Sequence, residues 1–262
     1  MPELPEVEYF KQYFDATALH KIIKEVTVKN SEILGSSSAK EFDTLEGQKF
    51  QSTKRYGKYL FAKTSRNCWL TIHFGMTGNL KYFKHIEDEP SHSRLLLKFS
   101  NGFFLSYDCQ RKFGKIELTR NIDDFVEKKN LGPDILSLNF QTFKKRLENR
   151  RGIAKSILMN QHIFAGVGNI YSDEILFQAG INPLTRINKL DTKTLKKLFE
   201  TTNRVLKIAI DVQTKSKDYP DTFLIPYRTK EGTCPKGKSK LKRIKVSGRT
   251  SFYCPKHQKK SF

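Results

Sequence analysis

Behind Pro5, the apolar residues Val7, Phe10, Phe14 and Ala18 recur at three- and four-residue intervals, which predicts a helix beginning almost at the amino terminus. From Lys21 to about Thr119 the period shortens. The runs IIKEVTV, KYLFAK, CWLTIHF, RLLLKFS and GFFLSY are rich in β-branched and aromatic residues, and NS, SRN, GMTGN and SNG punctuate them. They predict antiparallel strands of a sandwich or barrel. Beyond about Lys129 helical spacing returns. Phe140, Phe143 and Leu147 mark one helix; Ile175, Leu176 and Ala179 mark a second, stopped by Gly180 and Pro183. Asp191 caps a third, whose Leu195, Leu198, Phe199, Val205, Leu206 and Ala209 run to about Ile210. Near the end, RIKVSGRTSFYC reads as two short strands turning at Ser-Gly. The expected class is α+β: an N-terminal antiparallel β-sandwich with an N-terminal helix over residues 1–130, a helical domain over 131–227, and a C-terminal β-hairpin over 228–262.

Composition narrows what such a chain can do. At 262 residues and 37% hydrophobic content, it can bury two cores. Lys and Arg number 48 against 27 Asp and Glu, a formal charge of +21, which favours a polyanionic partner and nucleic acid first. The segment from Arg228 to Lys260 is the most biased, with twelve Lys or Arg and one acid, Glu231. No run is long and apolar enough for a membrane span or a signal peptide, so the expected location is the cytoplasm, with the nucleoid in a bacterium. Cys68, Cys109, Cys234 and Cys254 are too few for a disulfide scaffold in a chain of this length.

Five stretches carry candidate chemistry. MPELPEVE places Pro2 behind an initiator methionine that is normally removed before so small a residue, exposing a secondary amine able to attack an electrophilic carbon. Glu3 and Glu6 would stand beside it for proton transfer. The competing reading is a helix start in which Pro and Glu suit the first turn. Lys58, in RYGKYL, fits either a phosphate-holding lysine at a tight turn or a solvated loop residue. In QRKFGK, Arg111 and Phe113 pair a cation with an aromatic, and Met76 lies on the glycine-flanked HFGMTGN loop. Wedging into a base stack and anchoring the loops in the core are both open to these three. AGVGNIYSDE would open a helix at Asn169 with amides free for an anion such as a DNA phosphate. In the tail, Cys234 is followed by Gly237 where a zinc knuckle wants a second cysteine, and Cys254 is followed by His257. Cys234, Cys254 and His257 leave a zinc site one ligand short, so the expectation is a metal-free hairpin held by Leu241, Ile244, Val246 and Phe252, with structural zinc as the alternative.

Taken in order, PELPEVE, RYGKYL, HFGMTG, QRKFG, LGPDIL, GVGNIYSDEILFQAGINP and GRTSFYCPKHQ resemble the landmarks of the formamidopyrimidine-DNA glycosylase / endonuclease VIII family over nearly the whole chain, and the formamidopyrimidine branch more closely. The resemblance implies a helix-two-turn-helix domain in the middle, a finger at the end and a bifunctional glycosylase and abasic-site lyase of base-excision repair. It implies Pro2 as the nucleophile, Glu3 as the carboxylate that moves protons at the sugar, Glu6 as its helper and Lys58 on the neighbouring phosphate. Met76, Arg111 and Phe113 would fill the space of the flipped base, Lys155 and Asn169 would contact phosphates, and Arg249 would pinch the backbone from the fingertip. The implied partner is double-stranded DNA bearing oxidised or abasic sites, bound by a monomer without a catalytic cofactor. The alternative is a DNA-structure-binding homologue with weak or no turnover. Three features depart from the family pattern: the incomplete finger ligands, Gln110 in place of a proline, and a short Val212–Gly232 loop over the base pocket, which favours formamidopyrimidines or oxidised pyrimidines over 8-oxoguanine.

Overall fold

The computed structural model describes residues 1–213, 215 and 218–259. Its contacts divide it into two units, one of residues 1–2 and 6–130, the other of residues 3–5 and 131–262. The first helix, α1 (Leu4–Ala18), therefore begins in one unit and continues in the other. Thr214, Ser216 and Lys217, within the loop expected to be short, lie outside the described residues.

In the first unit, β1 (Ile23–Val28) is followed by a single turn, α2 (Ala39–Phe42), and then by β2 (Phe50–Tyr56), β3 (Tyr59–Thr64), β4 (Trp69–His73), β5 (Gly78–Phe83), β6 (Ser93–Phe99), β7 (Phe104–Cys109) and β8 (Lys115–Thr119). The strands form two antiparallel sheets, ordered β1-β6-β7-β5 and β2-β3-β4-β8. Leu60, Leu70 and Ile72 of one sheet and Leu95, Leu97 and Leu105 of the other share a single core with Val7 and Phe14 of α1, which makes the unit a sandwich. The outer face of the β2-β3-β4-β8 sheet carries a second cluster, in which Phe61 and Trp69 are covered by Phe125 of α3 (Ile122–Lys128).

The expected strands are present, and β2, β5 and β8 are added to them. In β2 only Phe50 is buried, so its sequence FQSTKRY lacks the alternation that marks a half-buried strand. Gly78 and Asn79 of β5 read as turn residues, although a Cβ at Gly78 would meet the Phe74 carbonyl oxygen at 2.3 Å, which is the reason for glycine there.

In the second unit, α4 (Phe140–Leu147), α5 (Ala154–Met159), α6 (Asn169–Ala179) and α7 (Thr192–Asp211) enclose a core of Phe143, Leu158, Ile175, Leu176, Leu198 and Leu206, to which Leu4 also belongs. The side chain of Asp191 accepts from Thr194 N, which caps α7 as the sequence predicts. α6 is buried on nearly every side, from Tyr171 to Ala179. The hairpin of β9 (Lys242–Val246) and β10 (Arg249–Tyr253) turns at Ser247 and Gly248, both at positive φ (48° and 74°), as a two-residue hairpin turn requires. A small cluster of Phe177, Leu224, Cys234, Leu241 and Cys254 supports it.

Candidate active site and nucleic-acid interface

Glu3 is 1% exposed, and its carboxylate occupies the start of α6. Gly168 N donates to Oε2 at 2.7 Å, Ile170 N to Oε1 at 2.8 Å and Tyr171 N to Oε2 at 3.3 Å. These are the orphan amides of a helix N-terminus, where a negative charge is favoured. Sequence reasoning offered them to a DNA phosphate; the anion they bind is Glu3. That correction also explains the glycines. A Cβ at Gly168 would lie 2.3 Å from the Glu3 Cδ, and one at Gly166 (φ 122°) would lie 2.6 Å from Leu4 Cδ1, while Leu4 N donates to Gly166 O at 3.1 Å. GVG is thus a seat for the amino-terminal residues. Pro2, the next residue back, is half-buried, and Glu6 lies in the first turn of α1.

One turn further along α6, Asp173 gathers donors. Its Oδ1 accepts from Lys155 Nζ and from Ser251 Oγ at 2.5 Å; its Oδ2 accepts from Arg228 Nη2 at 2.9 Å and Phe252 N at 3.1 Å. Lys155 Nζ also donates to Asn169 O at 3.2 Å, and its side chain is fully buried. In this structure the Lys155 ammonium is engaged inside the protein, by Asp173 and Asn169 O. Burial pulls Lys155 below the usual lysine range, and Asp173 opposes that pull. Asn169 is half-buried at the helix start, its Nδ2 donating to Thr250 O at 3.0 Å, and Arg249 projects into solvent beside the fingertip, lining a depression of about 180 Å³ with Ser156, Met159, Asn160 and Ser247.

In the first unit, Gly57 (φ 55°) opens the two-residue turn that joins β2 to β3, and Lys58 completes it. Arg55 braces the turn, donating to Gly57 O at 3.3 Å and to Glu8 of α1 at 2.8 Å. Lys58 is buried to 5% exposure, unlike a solvated loop lysine. His73, which the sequence reading did not single out, lies close enough for its titration to feel Lys58. Burial, then Lys58, then Lys129 lower it to about 4, so at neutral pH it adds no charge beside those lysines. Gly75 N donates to its Nδ1 at 3.3 Å, which leaves the ring proton on Nε2. An HFG run near a lysine turn was the available signal.

Met76, Arg111 and Phe113 stand on two loops that touch backbone to backbone. A Cβ at Gly75 would meet Gly114 N at 2.3 Å, and Arg111 N donates to Thr77 Oγ1 at 3.1 Å. The Arg111 guanidinium lies 5.1 Å from the centre of the Phe113 ring. Met76 is 42% and Phe113 57% exposed, so these loops are not anchored in the core through those side chains.

The finger does not fit a closed zinc site. Cys234 and Cys254 are buried, but His257 turns away, its Nε2 donating to Phe177 O at 2.9 Å, and Gly237 supplies no donor. Among the described residues, no three His, Cys, Asp or Glu side chains converge as a metal group. Of Cys234, Cys254 and His257, the two thiols are buried and the histidine is employed as a structural donor. Ser239 Oγ lies 3.2 Å from Cys254 Sγ, and Gln258 ties the segment down by accepting from Cys254 N at 2.9 Å and donating to Ile181 O at 2.8 Å.

Among the described residues, no helix is long and apolar enough to cross a membrane. The formamidopyrimidine-DNA glycosylase N-terminal domain family matches residues 1–116, and the H2TH domain of the same glycosylases matches residues 131–220. A formamidopyrimidine-DNA glycosylase of Solibacter usitatus is 35% identical over 99% of this chain and all of its own length, and one from Histophilus somni is 33% identical over 99% of this chain and all of its own length. The wild-type Fpg of Lactococcus lactis, solved with DNA containing N7-benzyl-Fapy-dG, superposes with a TM-score of 0.88 at 26% identity, covering 99% of this chain and all of that one. With both domain families matched in order along a chain whose amino terminus is seated on a GVGN helix start, the protein belongs to the formamidopyrimidine-DNA glycosylase family.

Proposed function

We propose that this chain is a bifunctional DNA glycosylase and abasic-site lyase of base-excision repair, working in the cytoplasm on duplex DNA that carries oxidised bases. A base inside a duplex is out of reach, so it must be flipped, and unstacking costs a few kcal/mol that inserted side chains offset. Met76, Phe113 and Arg111 are suited to that insertion because they are exposed on loops whose backbones brace each other. Lys58, Asn169 and Arg249 are the proposed phosphate contacts, with Lys155 acting behind them as support.

Once Met1 is removed, the Pro2 nitrogen attacks C1′ as the bond to the base breaks. Opening of the sugar ring takes a proton at its oxygen, a transfer assigned to Glu3 with Glu6 as helper. The resulting iminium makes the C2′ protons acidic, and successive β- and δ-eliminations expel the phosphates on either side. No step requires a metal or other cofactor. The segment Val212–Gly232 is short for the loop that would cover a flipped base, which supports formamidopyrimidines and oxidised pyrimidines as substrates.

One observation carries the reading: the residue next to Pro2 is buried and held by three amides of α6 in a seat that only glycine at 168 leaves open. Such a seat fixes where the terminal nitrogen lies. Borohydride reduction of protein with a verified Pro2 terminus, mixed with duplexes containing an abasic site or a formamidopyrimidine, tests it. The expected result is a covalent adduct that disappears when Met1 or a tag precedes Pro2. Tight binding with no adduct from the Pro2 form would overturn the enzymatic reading and identify a DNA-structure-binding homologue.

A further inference from the structure

Asn169 and Asp173 are four residues apart on α6 and so share one face of the helix. Thr250 and Phe252 are two apart on β10, and their outward backbone groups face that helix. Asn169 Nδ2 donates to Thr250 O at 3.0 Å, and Phe252 N donates to Asp173 Oδ2 at 3.1 Å. The spacing matches. Four helix residues rise about 6 Å, and two strand residues advance about 6.6 Å, so one helical turn can bind the free edge of a strand at two successive outward positions. A slip of the strand by one residue would turn those backbone groups towards β9 and take from both α6 side chains their backbone partners on β10.

We propose that Asp173 is a positioning residue for the DNA grip: by holding the outer edge of β10 in register on α6, it sets where Arg249 meets the phosphate backbone. The proposal rests on the reading of Arg249 as a phosphate contact. Arg249 begins β10, two residues before Ser251, whose hydroxyl donates to Asp173 Oδ1 at 2.5 Å. The other end of the turn is pinned separately, with Ser247 Oγ 2.7 Å from Ser156 Oγ of α5. The hairpin is thus fixed at its tip and along its edge. Asp173 suits this work because it is fully buried and binds two cations, Lys155 and Arg228, whose own supports lie elsewhere: Lys155 also donates to Asn169 O, and the Arg228 guanidinium lies 5.3 Å from the centre of the Phe252 ring. An amide at 173 would keep the shape but lose the charge that holds both cations, and with them the hold on Phe252.

The test is binding of the full chain, with its Pro2 terminus, to a duplex carrying a reduced abasic-site analogue, measured across a salt series for wild type, Asp173→Asn, Arg249→Ala and the double variant. Removal of one phosphate contact lowers the salt slope by about 0.9. Asp173→Asn is expected to weaken binding tenfold or more and to lower the slope by about that amount, and Arg249→Ala is expected to cost little more once Asp173 is changed. Single-turnover base release by Ser251→Ala at saturating enzyme should stay within about threefold of wild type, since the reacting groups are untouched. Ser251→Ala, which removes one bond and leaves both cations paired, should show the same non-additivity at about threefold loss; it carries the test if Asp173→Asn does not fold. Additive losses or an unchanged slope in the variants would overturn the proposal. If Arg249→Ala alone leaves affinity and slope unchanged, the phosphate role of Arg249 falls and the proposal with it, whereas absence of borohydride trapping in wild type would overturn the enzymatic reading by itself.

Discussion

His73 in the β-sandwich unit is half-buried and Glu174 in the helical unit is fully buried, and both sites favour the neutral form, yet acid acts on them in opposite directions. Burial and the nearby Lys58 and Lys129 lower His73 from 6.5 to about 4. Burial raises Glu174 from 4.5 to about 7, against hydrogen bonds from Gln178 and the amides of Leu224 and Ile225 and the charge of Lys236. Between pH 6.5 and 4 the unfolded chain binds a proton at His73 that the folded chain refuses, so this group's share of stability is lost as pH falls. Between pH 4.5 and 7 the folded chain keeps a proton on Glu174 that the unfolded chain releases, so its share is lost as pH rises. A neutral side chain in a dry site is therefore not one kind of design. Which pH it tolerates depends on whether the ordinary form it replaces is a cation or an anion.

The largest expected effect follows from that contrast. Each shift spans about 2.5 pH units, worth about 3 kcal/mol. Native-state hydrogen exchange should show the Glu174→Gln variant losing the wild-type decline in helical-unit protection between pH 5 and 7, with sandwich amides unaltered. Sandwich protection should decline from pH 6.5 towards 4 in both proteins. Parallel pH profiles of the two units in wild type would break the comparison.

A second contrast lies between the buried and exposed parts of the site. Gly168→Ala drives a methyl into Glu3 and is expected to destabilise the helical unit by about 2 kcal/mol and to abolish imine trapping. Denaturant melts read with borohydride trapping check both, and an unchanged melt with intact trapping would show that the seat is not needed. Phe113→Ala, at the exposed end, should change stability by less than about 0.5 kcal/mol while cutting base release from duplex DNA tenfold or more. An equal loss in melting would mean that the loop was serving the core after all. The smallest effect is expected at Gly237, where a Cβ meets nothing within 4 Å: Gly237→Ala should leave melting and chelator response unchanged.

Much of this was legible in the sequence, and the rest was hidden for identifiable reasons. α7 could be read because Asp191 and six apolar positions act locally, and the β9–β10 turn because Ser247-Gly248 carries its own backbone demand. β2 was hidden because its strand is mostly solvated, so no alternation marks it. The family resemblance located Lys155 but not its fate, since burial depends on Asp173, 18 residues away, and on Arg228 beyond it. Likewise the amides of GVGN announced an anion, but not that the chain itself supplies it from 165 residues earlier.

That distance has a consequence for synthesis. At about 5–20 residues per second, the ribosome makes Glu3 on the order of ten seconds or more before Gly168 exists to receive it. The sandwich strands emerge in the interval and can assemble around Val7 and Phe14, while the three residues ahead of them wait for their seat. A truncated product that ends before Asn169 would carry the proposed nucleophile, Pro2, without the amides that hold Glu3 beside it. The chain is thus built so that its amino-terminal residues find their seat only after most of the protein has been made.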